Sequence, residues 1–418
     1  MDTVYLCIDL KTFYASVECT VRGLDPFQTN LVVADPSRGK GAICLAISPK
    51  LKAMGVRNRC RIFEIPKGID YMVALPRMKL YMQFSADVYR VYLKYIASED
   101  IHVYSIDEAF LDVTHYLKLY QLNALQLAKN MIQDILETTG VTATAGIGTN
   151  LYLAKVALDI TAKHSDDGIG YLDEKLYQKM LWHHQPLTDF WHVGRGICKR
   201  LALYGIVDMD GIAHMDERLL FREFGVNARY LIDHAWGKEP TSMADIKRYQ
   251  SKSNSVSNHQ VLFKDYTYDG AYLVVKEMVE MNVLELYDRR LVSDHISLYI
   301  GYSDDAIKAT GGSMKLPIRT NSYRILMKYF MQIFERTTNQ KHLIRKIGIS
   351  FENVIDEIYE CYDLFTDMEE LQKEKQLQGT LLKIKQRFGK NAVLKGMNLL
   401  EDATTMKRNT LVGGHNAE

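Results

Sequence analysis

The sequence predicts a multidomain α+β chain, and three observations predict it. Its 418 residues exceed what one ordinary core of roughly 100–150 residues organises. Short β-rich runs alternate with amphipathic helical ones through the N-terminal part, and a polar run, Ser251–Asn258, interrupts the chain later on. A hydrophobic share of 47% and a charged share of 25% fit a globular protein.

Residues 4–9 form a short β-rich run that ends on a carboxylate, ahead of the helical-looking Thr12–Glu18: a strand feeding a helix. Residues 101–113 are apolar on both sides of a polar centre, the pattern of a hairpin whose tip carries Asp107 and Glu108. Leu122, Leu125, Ile132, Ile135 and Leu136 recur at helical spacing across residues 117–138, and residues 141–148 alternate as a strand does. Together these elements suggest an α/β sheet domain with its carboxylates on one face. Residues 11–79 read as a small insertion with basic turns. After Asp166 the chain becomes helical, and beyond the polar run strands and helices resume to about residue 355. There is no internal repeat.

No apolar run reaches the ~18 residues of a membrane span, and Asp9 interrupts the N-terminal apolar stretch. Neither a membrane protein nor a signal peptide is expected, and the expected location is the cytoplasm. The six cysteines form no CxxC pair, so free, mostly buried thiols are expected rather than a zinc site or a disulfide framework. Lys plus Arg number 52 against 51 Asp plus Glu, so overall charge names no partner. Its distribution does: from Lys315 to Lys346 eight bases stand against Glu335 alone, and from Glu352 to Glu374 nine acids stand against one base. Such a basic run suits either water or a phosphate backbone.

Nucleotidyl transfer by two metals needs hard oxygen ligands around cations roughly 3.5–4 Å apart. A carboxylate at a strand end beside a Ser-x-Asp-Glu cluster on a neighbouring hairpin can supply them, because adjacent strands lie about 4.8 Å apart. Asp9, Asp107 and Glu108 are therefore the candidate metal-binding and catalytic residues.

Three strings, Asp9–Glu18 (DLKTFYASVE), Tyr104–Asp112 (YSIDEAFLD) and Ala145–Lys155 (AGIGTNLYLAK), stand in the order and spacing of the Y-family translesion DNA polymerases. The chain resembles that family over nearly its whole length, above all the bacterial UmuC/ImpB/MucB/SamB branch of Gram-positive chromosomes, plasmids and prophages. The resemblance implies a right-hand polymerase: a ferredoxin-like palm from residues 1–10 and 80–165, small fingers from 11–79 and a helical thumb with a helix-hairpin-helix from 166–240. A linker at 241–251, an α/β little finger at 252–355 and a C-terminal tail at 356–418 would follow. It implies low-fidelity, lesion-tolerant, template-directed synthesis on primer-template DNA from deoxynucleoside triphosphates, in DNA repair and damage tolerance of the SOS type.

By the same resemblance, Asp9 and Asp107 would bridge two Mg2+ ions, Glu108 would bind the ion at the primer hydroxyl, the carbonyl of Leu10 would complete the nucleotide-side ion, and Ser105 would orient the hairpin. Tyr14, next to Phe13 in the nucleotide site, would be the steric gate that excludes a ribose hydroxyl. Lys163 and Lys52 would meet the triphosphate. The tyrosine that DinB-type members carry just before that fingers position is missing from Ala46–Lys52, which leaves Ser48 as a substitute. Gly194, Arg195, Gly196, Lys199 and Arg200 would hold a DNA phosphate at a helix start, and Lys252, Arg289, Arg290, Arg319 and Arg324 would grip the duplex. Residues 360–366 resemble the short peptide that docks on a sliding clamp, with Leu364 and Phe365 as anchors and Cys361 in place of the initial glutamine. UmuD-like or recombinase partners belong to this branch; a membrane does not.

Three alternatives stand beside this reading. A nucleotide cyclase shares a palm with paired acids but needs no grip on a duplex. A DNA-binding relative that has lost catalysis would not keep all three carboxylates. A DinB-like enzyme working alone differs only in subtype.

Overall fold

The structure, a computed structural model, describes residues 3–39, 41–251, 254–362 and 367–418. Lys252, Leu364 and Phe365 lie outside the described residues. The chain divides into two compact units, residues 1–250 and 251–418.

The first unit begins β1 (Tyr5–Leu10), α1 (Phe13–Val21), β2 (Leu31–Val33), β3 (Ala46–Ile47), α2 (Pro49–Ala53), β4 (Met72–Ala74) and α3 (Met78–Leu93). It continues with β5 (Ile101–Val103), β6 (Glu108–Asp112), α4 (Tyr116–Tyr120), α5 (Ala124–Thr139), β7 (Ala143–Gly148), α6 (Leu151–Val156) and β8 (Ile169–Leu172). Five strands form one sheet in the order β5-β6-β1-β7-β8. β1 is apolar on both faces apart from its end, and it takes the central position, where both faces are covered. β5 and β6 form the hairpin expected of residues 101–113.

Two differences from the sequence reading have local causes. The helix expected over 117–138 is broken, because Gln121 ends α4 in the left-handed region (φ 54°) and Asn123 restarts the chain as the cap of α5, with a reciprocal bond from Gln126. The helical region expected after Asp166 begins instead with β8, which pairs parallel with β7 and carries the sheet beyond residue 165.

On β7, Gly146 and Gly148 share the face of Thr144, which lies opposite Asp9. α6 packs on that face at a distance only glycine permits. A methyl group at Gly146 would fall 2.0 Å from the Ala154 carbonyl oxygen, and one at Gly148 would fall 2.1 Å from the Ala154 nitrogen. A smaller sheet, β3-β2-β4, gathers Val32, Cys44, Ile47 and Leu51 into its own core within the insertion.

The helical part of this unit comprises α7 (Glu174–Leu181), α8 (Arg195–Ala202), α9 (Met209–His214), α10 (Glu217–Phe224), α11 (Ala228–Ala235) and α12 (Met243–Arg248). Phe190, Leu201, Ile212 and Leu220 lie in its core.

The second unit is built from β9 (Val256–Tyr266), α13 (Tyr268–Asp288), β10 (Leu291–Tyr302), β11 (Thr310–Thr320), α14 (Tyr323–Thr337) and β12 (Ile344–Glu352). Its sheet runs β11-β10-β12-β9 and packs Ile296, Leu298 and Phe351 against Val274, Met278 and Phe330 of the two helices. The linker expected at 241–251 carries α12, and the polar run at 251–258 is partly strand, since β9 already starts at Val256.

The residues expected as a separate tail fold into this unit through α15 (Met368–Phe388) and α16 (Thr405–Arg408). The attachment is polar and buried. Glu277 of α13 is 1% exposed and accepts from the Asn398 amide (3.0 Å), from the Thr404 amide and hydroxyl (2.6 and 2.9 Å) and from the Thr405 amide (3.2 Å). A carboxylate taken out of water must find such donors, and the start of α16 supplies them.

Candidate active site

Asp9 is the one half-buried residue of β1, between the buried Ile8 and Leu10, and its direct cross-strand partner on β6 is Glu108. Partners in an antiparallel pair point to the same face, so the register alone brings these two carboxylates together. Asp107 precedes them at the bend of the hairpin. Its carbonyl accepts from the Leu10 amide (2.9 Å), and its carboxylate accepts from the Ser105 hydroxyl (2.6 Å). Ser105 is bonded in turn to the carbonyl of Glu108 (3.0 Å), so the bend is closed on itself.

The acids perturb one another. Burial, with the charges of Asp107 and Glu108 nearby, pushes the Asp9 carboxyl up to about 7. Glu108 is held by Lys155 of α6 (2.8 Å) and accepts from the Cys7 thiol (3.1 Å). Lys155 also meets Asp159, four residues on (3.1 Å). Burial opposes the charge of Lys155, but Cys7, Asp159 and Glu108 outweigh it and raise its pKa. Among the described residues no three His, Cys, Asp or Glu side chains stand gathered as a metal-holding group. Glu108 is engaged by the ammonium of Lys155, which here neutralises part of the carboxylate charge. The donor set nonetheless fits a hard divalent cation: carboxylate oxygens, on one sheet face, with negative charge in excess at Asp9.

Next to the carboxylates, Thr12 turns the chain from β1 into α1 through the left-handed region (φ 46°). Phe13 is buried at 2% exposure and packs as core, so of the two aromatics only Tyr14 is partly open. Burial, then the Asp107 charge, raises the Tyr14 pKa, which sets the ring close to the acidic cluster. Tyr14 stacks on Tyr81 of α3. Glu18, fully buried, accepts from Tyr81 (2.7 Å) and from Arg77 through Nε (3.0 Å) and Nη2 (2.7 Å), and it also pairs with Arg22. Burial would raise the Glu18 pKa, but these donors outweigh it and hold it low.

The remaining predicted residues fall in different settings. Lys52 on α2 and Lys163 are exposed. Ser48 is fully buried, and its hydroxyl accepts from the amides of Leu31 (3.1 Å) and Leu51 (3.4 Å); it caps α2, so the phosphate contact expected of it is replaced by a structural one. Gly194 is the N-cap of α8, with Arg195 and Lys199 exposed on that helix. Arg200 is exposed as well, and it lies along the surface, donating to the Glu223 carbonyl (2.6 Å) with its guanidinium 4.2 Å from the Phe224 ring centre. In the second unit, Arg319 is paired with Asp294 and Arg324 with Glu370. Glu370 of the acidic stretch thus answers Arg324 of the basic run, with both side chains exposed, while Arg319 is half-buried on Asp294 and differs from the open phosphate contact expected.

Sequence reasoning assigned no role to Glu18, Tyr81, Lys155 or Asp159. Two of the four carried a signal: Glu18 lies one helical turn after Tyr14, and Asp159 one turn after Lys155. Tyr81 carried none, since only the packing of α3 on α1 brings it to Tyr14.

Comparison with known proteins accords with this geometry. A sequence model of the impB/mucB/samB family matches residues 8–159, and the model of that family's C-terminal domain matches residues 253–360, together more than half of the chain. A protein of Bacillus subtilis (strain 168) named UvrX, for UV-damage repair, is 29% identical over 420 residues, covering 98% of this chain and 97% of the relative. DNA polymerase IV 2 of Halalkalibacterium halodurans is 28% identical, covering 99% of this chain and all of the relative. Among solved structures, a Y-family DNA polymerase chimera, Dbh-Dpo4(243-245)-Dbh, shares the fold with a TM-score of 0.64 at 21% identity, over 84% of this chain and 99% of that one. With both of its domain models matched over more than half of its length, and with the fold of a Y-family DNA polymerase, the chain belongs to the impB/mucB/samB family.

Proposed function

We propose that this chain is a lesion-tolerant, template-directed DNA polymerase that extends a primer from deoxynucleoside triphosphates. The observation that carries the reading is the cross-strand pair Asp9–Glu108 with Asp107 beside it, an acidic cluster in which burial, with the two neighbouring charges, raises the Asp9 pKa to about 7. Family membership brings with it the use of divalent metal. Asp9, Asp107 and Glu108, with the carbonyl of Leu10, would hold two Mg2+ ions. Bound there, such ions would lower the pKa of the primer hydroxyl and neutralise the charge of the leaving pyrophosphate.

The chain's own groups do the rest. The Ser105–Asp107 bond fixes the hairpin carboxylate, and Lys155 holds Glu108 through its carboxylate oxygens. Tyr14, backed by Tyr81, offers a flat wall for a sugar that lacks a 2′ hydroxyl. Lys52 and Lys163 are exposed cations suited to the β- and γ-phosphates. Gly194 with Arg195 and Lys199 suits a DNA phosphate, and cations of the second unit suit the duplex backbone. The clamp-docking peptide around Leu364 and Phe365, and assembly with UmuD-like or recombinase partners, remain part of this proposal as the branch's habits.

Primer extension by the Asp107→Ala variant tests it. Loss of extension with DNA binding intact is the expected result; full activity in that variant would remove the metal assignment.

A further inference from the structure

The first unit holds a cavity of about 620 Å3, and none of the residues assigned to metal, sugar or triphosphate lines it. Its size falls within the roughly 300–1,000 Å3 of small-molecule sites. Tyr104, Trp191, Phe224 and Tyr230 line it, together with His102 and His192. The Trp191 indole N–H donates to the Tyr104 hydroxyl (3.1 Å), which locks those two rings edge to face. His192 lies against Trp191 with ring centres 4.3 Å apart, and it does so from the left-handed region (φ 67°), a strained conformation for a residue with a side chain.

The interior carries little net charge. Burial lowers the pKa of both imidazoles, helped by Lys247 at His102 and by His234 at His192. The one carboxylate in the lining, Glu239, is paired with His234 (3.0 Å). Ile197 and Arg200 of α8 line the cavity, and Arg200 is exposed, so its guanidinium stands where the cavity meets water.

A cation where the cavity meets water, with an aromatic interior, matches the two ends of a nucleotide. We infer that the cavity is a binding site for an unpaired nucleobase, its phosphate meeting the guanidinium of Arg200. The base comes either from a strand in which it has no partner or from a free nucleotide; a paired base has its edge occupied and is held in its stack. Only the strand source rests on the polymerase reading above.

The probe is 2-aminopurine, whose fluorescence falls when it stacks on aromatic rings. It is presented to the full chain as a single unpaired base walked along a primer-template duplex, as the same base paired with thymine, and as the free riboside 5′-monophosphate. Quenching is expected for the unpaired base at one narrow range of positions, with binding about fivefold or more tighter than that of the paired duplex. Two variants of exposed lining residues, Tyr230→Ala to remove a wall and Asn227→Trp to block the mouth, are expected to abolish the quenching while binding to the paired duplex changes less than about twofold.

Equal affinity for unpaired and paired DNA without quenching, or quenching that survives in both variants, overturns the inference. If no DNA binds at all, the polymerase reading fails, and the free monophosphate then decides the cavity: quenching lost in both variants supports a base site, and no quenching overturns it.

Discussion

Tyr14 and Tyr81 are stacked with ring centres 4.5 Å apart, and the hydroxyl of Tyr81 is anchored on the buried Glu18 one turn further along the helix that carries Tyr14. The wall proposed for the sugar is thus braced from α3 rather than left to its own rotamer. Tyr14→Ala is expected to lower discrimination between deoxy- and ribonucleotides by about 100-fold, the scale on which a close-fitting pocket rejects one added group. Tyr81→Leu, which leaves Tyr14 in place but unbraced, is expected to give a smaller loss of the same sign. The ratio of kcat/KM for the two sugars measures both; an unchanged ratio in a folded Tyr81→Leu protein would show that the stack is only packing.

Lys155 stands on Glu108 at 2.8 Å, so in the metal-free protein the carboxylate depends on it. Removing one partner of a buried ion pair costs about 3–5 kcal/mol, because the other charge is left uncompensated. Lys155→Met is therefore expected to lower the thermal midpoint strongly in the presence of a chelator. Excess Mg2+ is expected to recover part of that loss, more than it adds to the unaltered protein. The same deficit with and without metal would contradict the assignment of Glu108 as a ligand.

The tail makes a third case. Glu277 accepts four hydrogen bonds from Asn398, Thr404 and Thr405, none of them exposed to water. Glu277→Gln puts an amide donor where the site offers only donors, with an expected cost of about 3 kcal/mol in urea unfolding. Protease cleavage within residues 389–418 should rise in parallel. An unaltered unfolding midpoint would mean that the tail is held by its apolar contacts instead.

Glu239 supplies a pH dependence. Burial would raise its pKa, but bonds from His234 and Thr241 outweigh that and hold it below the ordinary 4.5. A carboxyl depressed by folding adds stability that is complete above its unfolded value and is lost as pH falls through its folded value. The stability advantage of the unaltered chain over Glu239→Gln should therefore be constant near neutrality and shrink between about pH 5 and about pH 3. An advantage that does not vary over that range would sink the account.

Much of this was legible in residue order. β1, the hairpin at 101–113 and β7 follow from alternation, which is a local property of the chain, and the three carboxylates stand out because hard-metal chemistry needs that residue type at strand ends. The break at Gln121 was less so, since a left-handed residue followed by an Asn cap is a turn signal hidden inside an apolar period. The roles of Ser48 and Arg319 were not legible at all: a side chain that could meet a phosphate can equally be consumed by a backbone amide or a distant acid, and only the folded chain decides which.

By itself, then, the sequence determined which residues are able to do the chemistry and along which strands they lie, because periodicity and residue type are set over a few neighbours. The tertiary structure decided the pairing. That Asp9 meets Glu108, that Lys155 holds it, that Tyr81 braces Tyr14 and that Glu277 fastens the tail all depend on strand register and helix packing between segments far apart in the chain, where a shift of one residue would turn each side chain to the opposite face.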